Sequence, residues 1–178
     1  MKSLRLRNGQ TLTIRTAIKE DALNLIYYIS KIGGESNFLT FGENEFDITV
    51  EKEEAIIESH MGIDNKLFII AEIENKIVGS LNYSGGSRPR TKHTGEFGVS
   101  VGKEYWGLGI GEQLIKYMID WGIESDVVKK INLRVREDNY VAIGLYKKLG
   151  FKNEGIITRD FYIDGEYYNS ISMGLELE

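Results

Sequence analysis

The chain has 178 residues, 42% hydrophobic and 28% charged, which fits one domain spanning residues 1–178 with its own core and excludes disordered and fibrous classes. It holds no cysteine and only two histidines, His60 and His93, far apart in sequence, so disulfides, thiolate metal sites and a cysteinyl thioester are excluded and no metal is expected. A net charge of −5 argues against nucleic acid as a partner, which needs a basic face, and mildly favours cationic ones.

Residues 11–15 alternate like a half-buried strand, and residues 19–32 carry Ala22, Leu23, Ile26 and Ile29 at helical spacing. A second helix is predicted over residues 49–61, with Thr49 as N-cap and Glu51, Glu53 and Glu54 near its positive end. The segment between these helices is irregular and acidic. Residues 66–72 and 76–83 read as a strand pair turning at Glu74-Asn75, and residues 84–90 can only be a loop.

Residues 94–101 form the next strand. A helix over residues 112–124 presents Leu114, Ile115, Met118, Ile119 and Gly122 on one face. Residues 131–135 are a short buried strand, and residues 139–149 a helix stopped by Gly150. Two long strands, 152–163 and 167–177, turn at Asp164-Gly165. Three consecutive strands and a closing hairpin do not fit a doubly wound sheet, so the expectation is α+β: a mixed, mostly antiparallel, splayed sheet of six to seven strands with about four helices. No apolar run nears the roughly 18 residues of a membrane span, and residues 1–5 hold no apolar signal core, so no membrane and a cytoplasmic location are expected.

The strand 94–101 leads into Trp106-Gly107-Leu108-Gly109-Ile110-Gly111, which opens directly onto a helix. Closely spaced glycines let several amides converge, and a helix start adds partial positive charge, so the arrangement is an anion site. A tight strand-to-helix connection is the competing reading of the glycines alone. The spacing is not the dinucleotide fingerprint, because Glu112 stands where glycine is needed, and nothing reads Gly-Lys-Ser/Thr.

The turn, its strand and the later run from Asn139 through Ala142, Leu145-Tyr146 and Gly150-Phe151 together resemble the GNAT superfamily of N-acetyltransferases over nearly the whole chain. Trp106 departs from the arginine or glutamine that usually heads this turn; the Tyr-Trp-Gly variant is reminiscent of the branch that includes ribosomal-protein N-terminal acetyltransferases. Trp106 itself is expected to pack in the core.

The resemblance implies direct transfer of acetyl from acetyl-CoA to a primary amine within a ternary complex. The amine would belong to a protein N-terminus, polyamine, amino acid or aminoglycoside, and the enzyme would be a monomer or homodimer. Cofactor contacts are implied for the backbone of Val99, Ser100 and Val101, for the turn amides of Gly107, Leu108, Gly109, Ile110, Gly111 and Glu112, and for Asn139 and Tyr146. Tyr146 is the implied general acid toward the departing thiolate, and Glu96 the implied proton acceptor, usually through water. The acidic, aromatic segment 35–54 with Phe38, Phe41 and Phe46, and the hairpin aromatics Phe161, Tyr162, Tyr167 and Tyr168, suit an amine, although such loops are more often solvated and such aromatics core. The basic loop 88–92 is a candidate phosphate contact if it lies near the cofactor. The rival class is a non-catalytic acyl-CoA sensor.

Overall fold

The computed structural model describes residues 1–43 and 45–178. Its elements in chain order are β1 (Lys2–Arg5), β2 (Thr11–Thr16), α1 (Ala22–Gly33), α2 (Val50–Glu58), β3 (Lys66–Ile73), β4 (Lys76–Gly85), β5 (Thr94–Val101), α3 (Ile110–Glu124), β6 (Lys130–Arg136), α4 (Tyr140–Lys148), β7 (Lys152–Ile163) and β8 (Glu166–Glu176). The strands form one sheet in the order β1-β2-β3-β4-β5-β6-β8-β7, antiparallel everywhere except between β5 and β6. The mostly antiparallel, splayed sheet is as expected, with eight strands rather than six or seven.

The additional strand is β1. It turns into β2 through Asn8-Gly9, where Gly9 takes φ 84°, a conformation open to glycine at little cost.

Helices cover both faces, and the strand residues sort accordingly. Ile69, Ala71, Leu81, Tyr83 and Phe97 join Ile110, Leu114, Ile115 and Met118 of α3 and Ile143 and Tyr146 of α4 in one core. Phe68 and Ile70, the alternate residues of β3, pack instead with Leu25, Tyr28 and Ile32 of α1 and Ile57 of α2. Burial on both faces explains why β3 is almost wholly apolar. Thr49 caps α2, its hydroxyl accepting from the Lys52 amide at 3.4 Å. The first turn predicted for α1 is instead a 3-10 turn at Lys19–Asp21, because the Asp21 carboxylate takes the Ile18 amide at 2.8 Å and ion-pairs with Arg15.

The irregularity that matters lies at β5 and β6. They pair at only Thr94↔Lys130, Gly95↔Ile131 and Glu96↔Asn132, although β5 continues to Val101. Beyond Glu96 the two strands part and leave a wedge in the sheet. Among the described residues no helix is long and apolar enough to cross a membrane.

Candidate active site

The glycine turn lies at the far end of β5, on one lip of the wedge. Gly107 and Gly109 have φ 77° and 83°, a region costly for residues with a Cβ, and a Cβ at either would meet nothing within 4 Å. The glycines therefore serve backbone curvature, and the space over the turn is open. Gly109 caps α3 without a side chain, so the first amides of the helix have neither an intrahelical partner nor a side-chain cap. Glu112, in the first turn, is held by Lys116 at 2.7 Å and by Lys148 of α4 at 2.8 Å; these hydrogen bonds pull its carboxyl down to about 2. Two lysines thus stand beside the helix start.

Trp106 is not a core residue, contrary to expectation. It is 51% exposed, its indole N–H donates to the Val101 carbonyl at 2.7 Å, and Lys103 lies 6.0 Å from the ring. The indole braces the turn against β5, its single donor taken by that carbonyl.

The backbone of β5 has a defined polarity. The Gly102 amide donates to the Val78 carbonyl at 3.0 Å, and two-residue alternation then turns Ser100 and Gly98 toward β4 and Val101, Val99 and Phe97 away from it. The amides and carbonyls of Val99 and Val101 therefore face the wedge, beyond the last residue paired with β6. Ser100 does not join them. Its backbone faces β4, and its hydroxyl lies 2.9 Å from Tyr28 Oη and 3.2 Å from Ser80 Oγ under α1. Alternation placed it on the opposite face from Val99 and Val101 in the sequence as well.

Tyr146 stands on the α3 and α4 side. It is 8% exposed, with its ring against Phe97 and Phe151 at centroid distances of 6.0 and 5.9 Å. Burial raises its phenol to about 12, so it keeps its proton. Among the described residues nothing hydrogen-bonds its hydroxyl, yet no buried side-chain oxygen there lacks a partner, so the hydroxyl touches solvent. Asn139 caps α4, Oδ1 accepting from the Ala142 amide at 3.2 Å.

Glu96 projects from the other face. It is not an isolated carboxylate: Arg134 Nε donates to it at 3.0 Å while Nη1 of the same guanidinium lies 3.5 Å from Asp160. Asp160 also accepts from Ser170 Oγ at 2.6 Å. The pairing with Glu96 raises the affinity of Arg134 for its proton. Sequence reasoning missed Arg134; its alternation with Leu133 and Val135 on β6 placed it on the polar face, and the strand neighbour was the unknown. Around Glu96, residues Asn82, Ser84 and Gly98 are exposed while their chain neighbours Leu81, Tyr83 and Phe97 are buried, so the inner strands β4 and β5 form an uncovered trough beside the wedge. A Cβ on Gly98 would approach Asn82 Oδ1 to 3.3 Å.

The segment between α1 and α2 is anchored by a buried arginine. The Arg136 guanidinium stacks between Phe38 and Tyr168, 4.5 and 4.2 Å from their centroids, forks onto Asp138 at 2.6 and 2.9 Å, and donates to the Asn37 carbonyl at 2.9 Å. Glu35 accepts the Lys103 amide at 2.7 Å, tying this segment to the glycine turn. Phe41 and Phe46 pack on each other, 5.6 Å apart. Tyr162 and Tyr167 stack at the exposed hairpin tip rather than in the core. The basic loop 88–92 is at the wrong end of β5 to meet the glycine turn: eight residues of strand separate them, roughly 25 Å. Among the described residues no acidic or histidine cluster could hold a metal ion.

A sheet parted after a short parallel pairing, with a glycine turn and a helix start without a side-chain cap on one lip, is an architecture that suits an extended, anionic ligand. Residues 36–151 match the acetyltransferase (GNAT) family, and the chain belongs to that family. It is 37% identical over 78 residues to spermidine N(1)-acetyltransferase of Escherichia coli, covering 44% of this chain and 42% of that protein, so the match spans less than half of the relative. It is 33% identical over 105 residues to the L-amino acid N-acetyltransferase AaaT of Escherichia coli, covering 59% of this chain and 65% of the relative. In structure it resembles a GNAT-family acetyltransferase of Streptococcus pneumoniae, with TM-score 0.91 and 29% identity over 94% of this chain and 99% of that one.

Proposed function

We propose that residues 1–178 act as one N-acetyltransferase domain that moves acetyl from acetyl-CoA directly to a primary amine in a ternary complex. The observation that carries the reading is the wedge, with peptide groups of β5 facing it and the amides of the glycine turn at its lip. Those peptide groups offer β-like pairing to an amide-bearing chain, and the turn amides suit a pyrophosphate. Lys116 and Lys148 add charge that Trp106 does not.

Tyr146 and Glu96 lie on opposite faces of β5, so a thioester threaded through the wedge has the phenol on one side and the acceptor trough on the other. Tyr146 donates a proton to the departing thiolate: burial raises its phenol to about 12, which keeps the proton in place until the thiolate forms while making it a weaker acid than a free phenol. The trough suits a cationic acceptor because two carboxylates, Glu96 and Asp160, share one guanidinium. Its substrate class is then a small amine or peptide N-terminus, in keeping with the spermidine and amino-acid activities named for the two relatives.

Free-thiol release from acetyl-CoA across polyamines, amino acids, peptides and aminoglycosides tests the reading. Tyr146→Phe is expected to lower turnover by about a hundredfold while leaving acetyl-CoA affinity unchanged; equal turnover removes the tyrosine from the chemistry. The sensor reading is favoured by the engagement of Glu96 with Arg134, and predicts acetyl-CoA binding with no thiol release for any acceptor.

A further inference from the structure

The net reaction of an alkylammonium with a thioester releases one proton, which Tyr146, itself a donor in the reading above, does not absorb. The ammonium loses two protons on its way to an amide: one to become a nucleophile, one after it attacks. The thiolate takes up one, supplied by Tyr146 under the reading above, and another must leave the acceptor side. Glu96 is poorly placed to receive it, because its carboxylate is already hydrogen-bonded by Arg134 at 3.0 Å.

The trough contains a second proton acceptor. His60 follows α2, and its Nδ1 lies 2.8 Å from the Ile56 carbonyl, an oxygen that can only accept, so Nδ1 carries the proton. Ser59 also approaches Nδ1, at 3.3 Å, but its hydroxyl donates to that same carbonyl at 2.7 Å. The other ring nitrogen, Nε2, is left with a bare lone pair and lies 3.1 Å from Ser84 Oγ, whose proton it therefore receives. Ser84 stands directly opposite Glu96 in the β4–β5 register, on the exposed face of the trough. The line from the acceptor side of the wedge thus runs across β5 to Ser84 and on to an imidazole already oriented to accept a proton.

We propose that Ser84 and His60 form the relay that removes the amine's proton from the trough. As a proton from the acceptor nitrogen, direct or through one water, bonds to Ser84 Oγ, the existing Ser84 O–H bond breaks and its proton bonds to His60 Nε2. The product is an imidazolium, which returns the proton to solvent from its half-buried position. No oxidant or further reactant enters, and the serine regains its starting state. This rests on the transferase reading. The groups around the imidazole are the Ile56 carbonyl and Ser59 on its own turn, the ring of Phe68 on β3 with centroids 5.6 Å apart, and Ser84 on β4. The nearby charges are Glu58, two residues before it, Lys66 on β3, whose Nζ reaches the Ser59 carbonyl at 3.3 Å, and Glu96 across from Ser84 on β5.

His60→Gln separates this role from a merely structural one, because an amide N–H can still bond the Ile56 carbonyl but the side chain cannot take a proton. Ser84→Ala breaks the relay with the histidine intact. With spermidine as probe amine, and the wider panel if it is inert, both variants are expected to lose about tenfold or more in kcat at pH 7, with KM values for amine and acetyl-CoA little changed. The loss shrinks at pH 9, where more amine is already neutral. Wild-type turnover with both variants unaffected at pH 7 overturns the relay alone, as does a loss that is equal at both pH values and accompanied by a lower Tm. Acetyl-CoA binding by the wild type without thiol release for any amine overturns the transferase reading, and the relay with it.

Discussion

Replacing Arg136 by alanine tests what orders the acceptor side. The guanidinium contributes a charged hydrogen bond to the Asn37 carbonyl, about 1.5–3 kcal/mol, and two ring-face contacts, with Phe38 and Tyr168, of about 1 kcal/mol each. The fork onto Asp138 adds about 1 kcal/mol at most, since that carboxylate is 38% exposed and water replaces its partner. Counted at the low end of each range, the sum is about 4 kcal/mol. Because Asn37 and Phe38 belong to the segment between α1 and α2, and Arg136 and Tyr168 to the sheet, the loss falls on the joint between them. At tenfold per 1.4 kcal/mol, opening of the joint becomes several hundredfold more frequent. Hydrogen exchange at the Phe38 amide, which donates to Ser36 Oγ at 3.2 Å, reads this directly. If the joint is instead cooperative with the whole fold, Tm falls by roughly 8–16 °C. Arg136→Lys keeps the charge but not the fork or the stacking, and is expected to recover only a minor part. A variant with wild-type Tm and unchanged Phe38 exchange would show that the stack and fork contribute nothing.

Burial alone would raise the Asp21 carboxyl, but the fork from Arg15 at 2.7 and 2.8 Å together with the Ile18 amide at 2.8 Å outweighs it and holds the group below the usual range. A depressed folded value means stability that is present above the unfolded value, near 3.9, and is lost as pH falls through the folded one. Asp21→Asn should therefore lower Tm at pH 7 and flatten the Tm curve below about pH 4; parallel curves for the two proteins would rule this out. Trp106→Phe leaves the Val101 carbonyl without its indole donor, a loss of about 1 kcal/mol that should weaken acetyl-CoA binding roughly fivefold by calorimetry. Gly98→Val fills the trough beside Asn82 and should raise KM for the amine while sparing acetyl-CoA affinity, whereas an unchanged amine KM would move the acceptor elsewhere.

The helices, the cap at Asn139 and the β5–turn–α3 unit were legible because each is written in local pattern: helical spacing, a cap residue, glycines at a strand end. The strand β1 carried a readable signal in Asn8-Gly9, but four residues give little periodicity to read. What the chain could not display locally was pairing. The shared guanidinium of Arg134, the bracing of Val101 by Trp106 and the stacking of Arg136 join residues whose proximity depends on strand register and on how segments lie across the sheet. Ser100 is set apart from Val99 and Val101 by its alternation, and only the resemblance grouped the three. The basic loop shows the same limit, since closeness in sequence to β5 concealed a distance of one full strand from the turn.

The short β5–β6 pairing has a mechanical side. Those strands share three residue pairs, whereas β4 with β5 and β6 with β8 each share seven, so parting the sheet there breaks the fewest ladder bonds. The sheet is in effect two blades, β1 to β5 and β6 to β8, meeting at the seam with its shortest ladder. A guest bonded along Val99 and Val101 laminates that seam, so that occupancy registers first as stiffness, in slowed exchange at the splayed edges, with the backbone outline little altered.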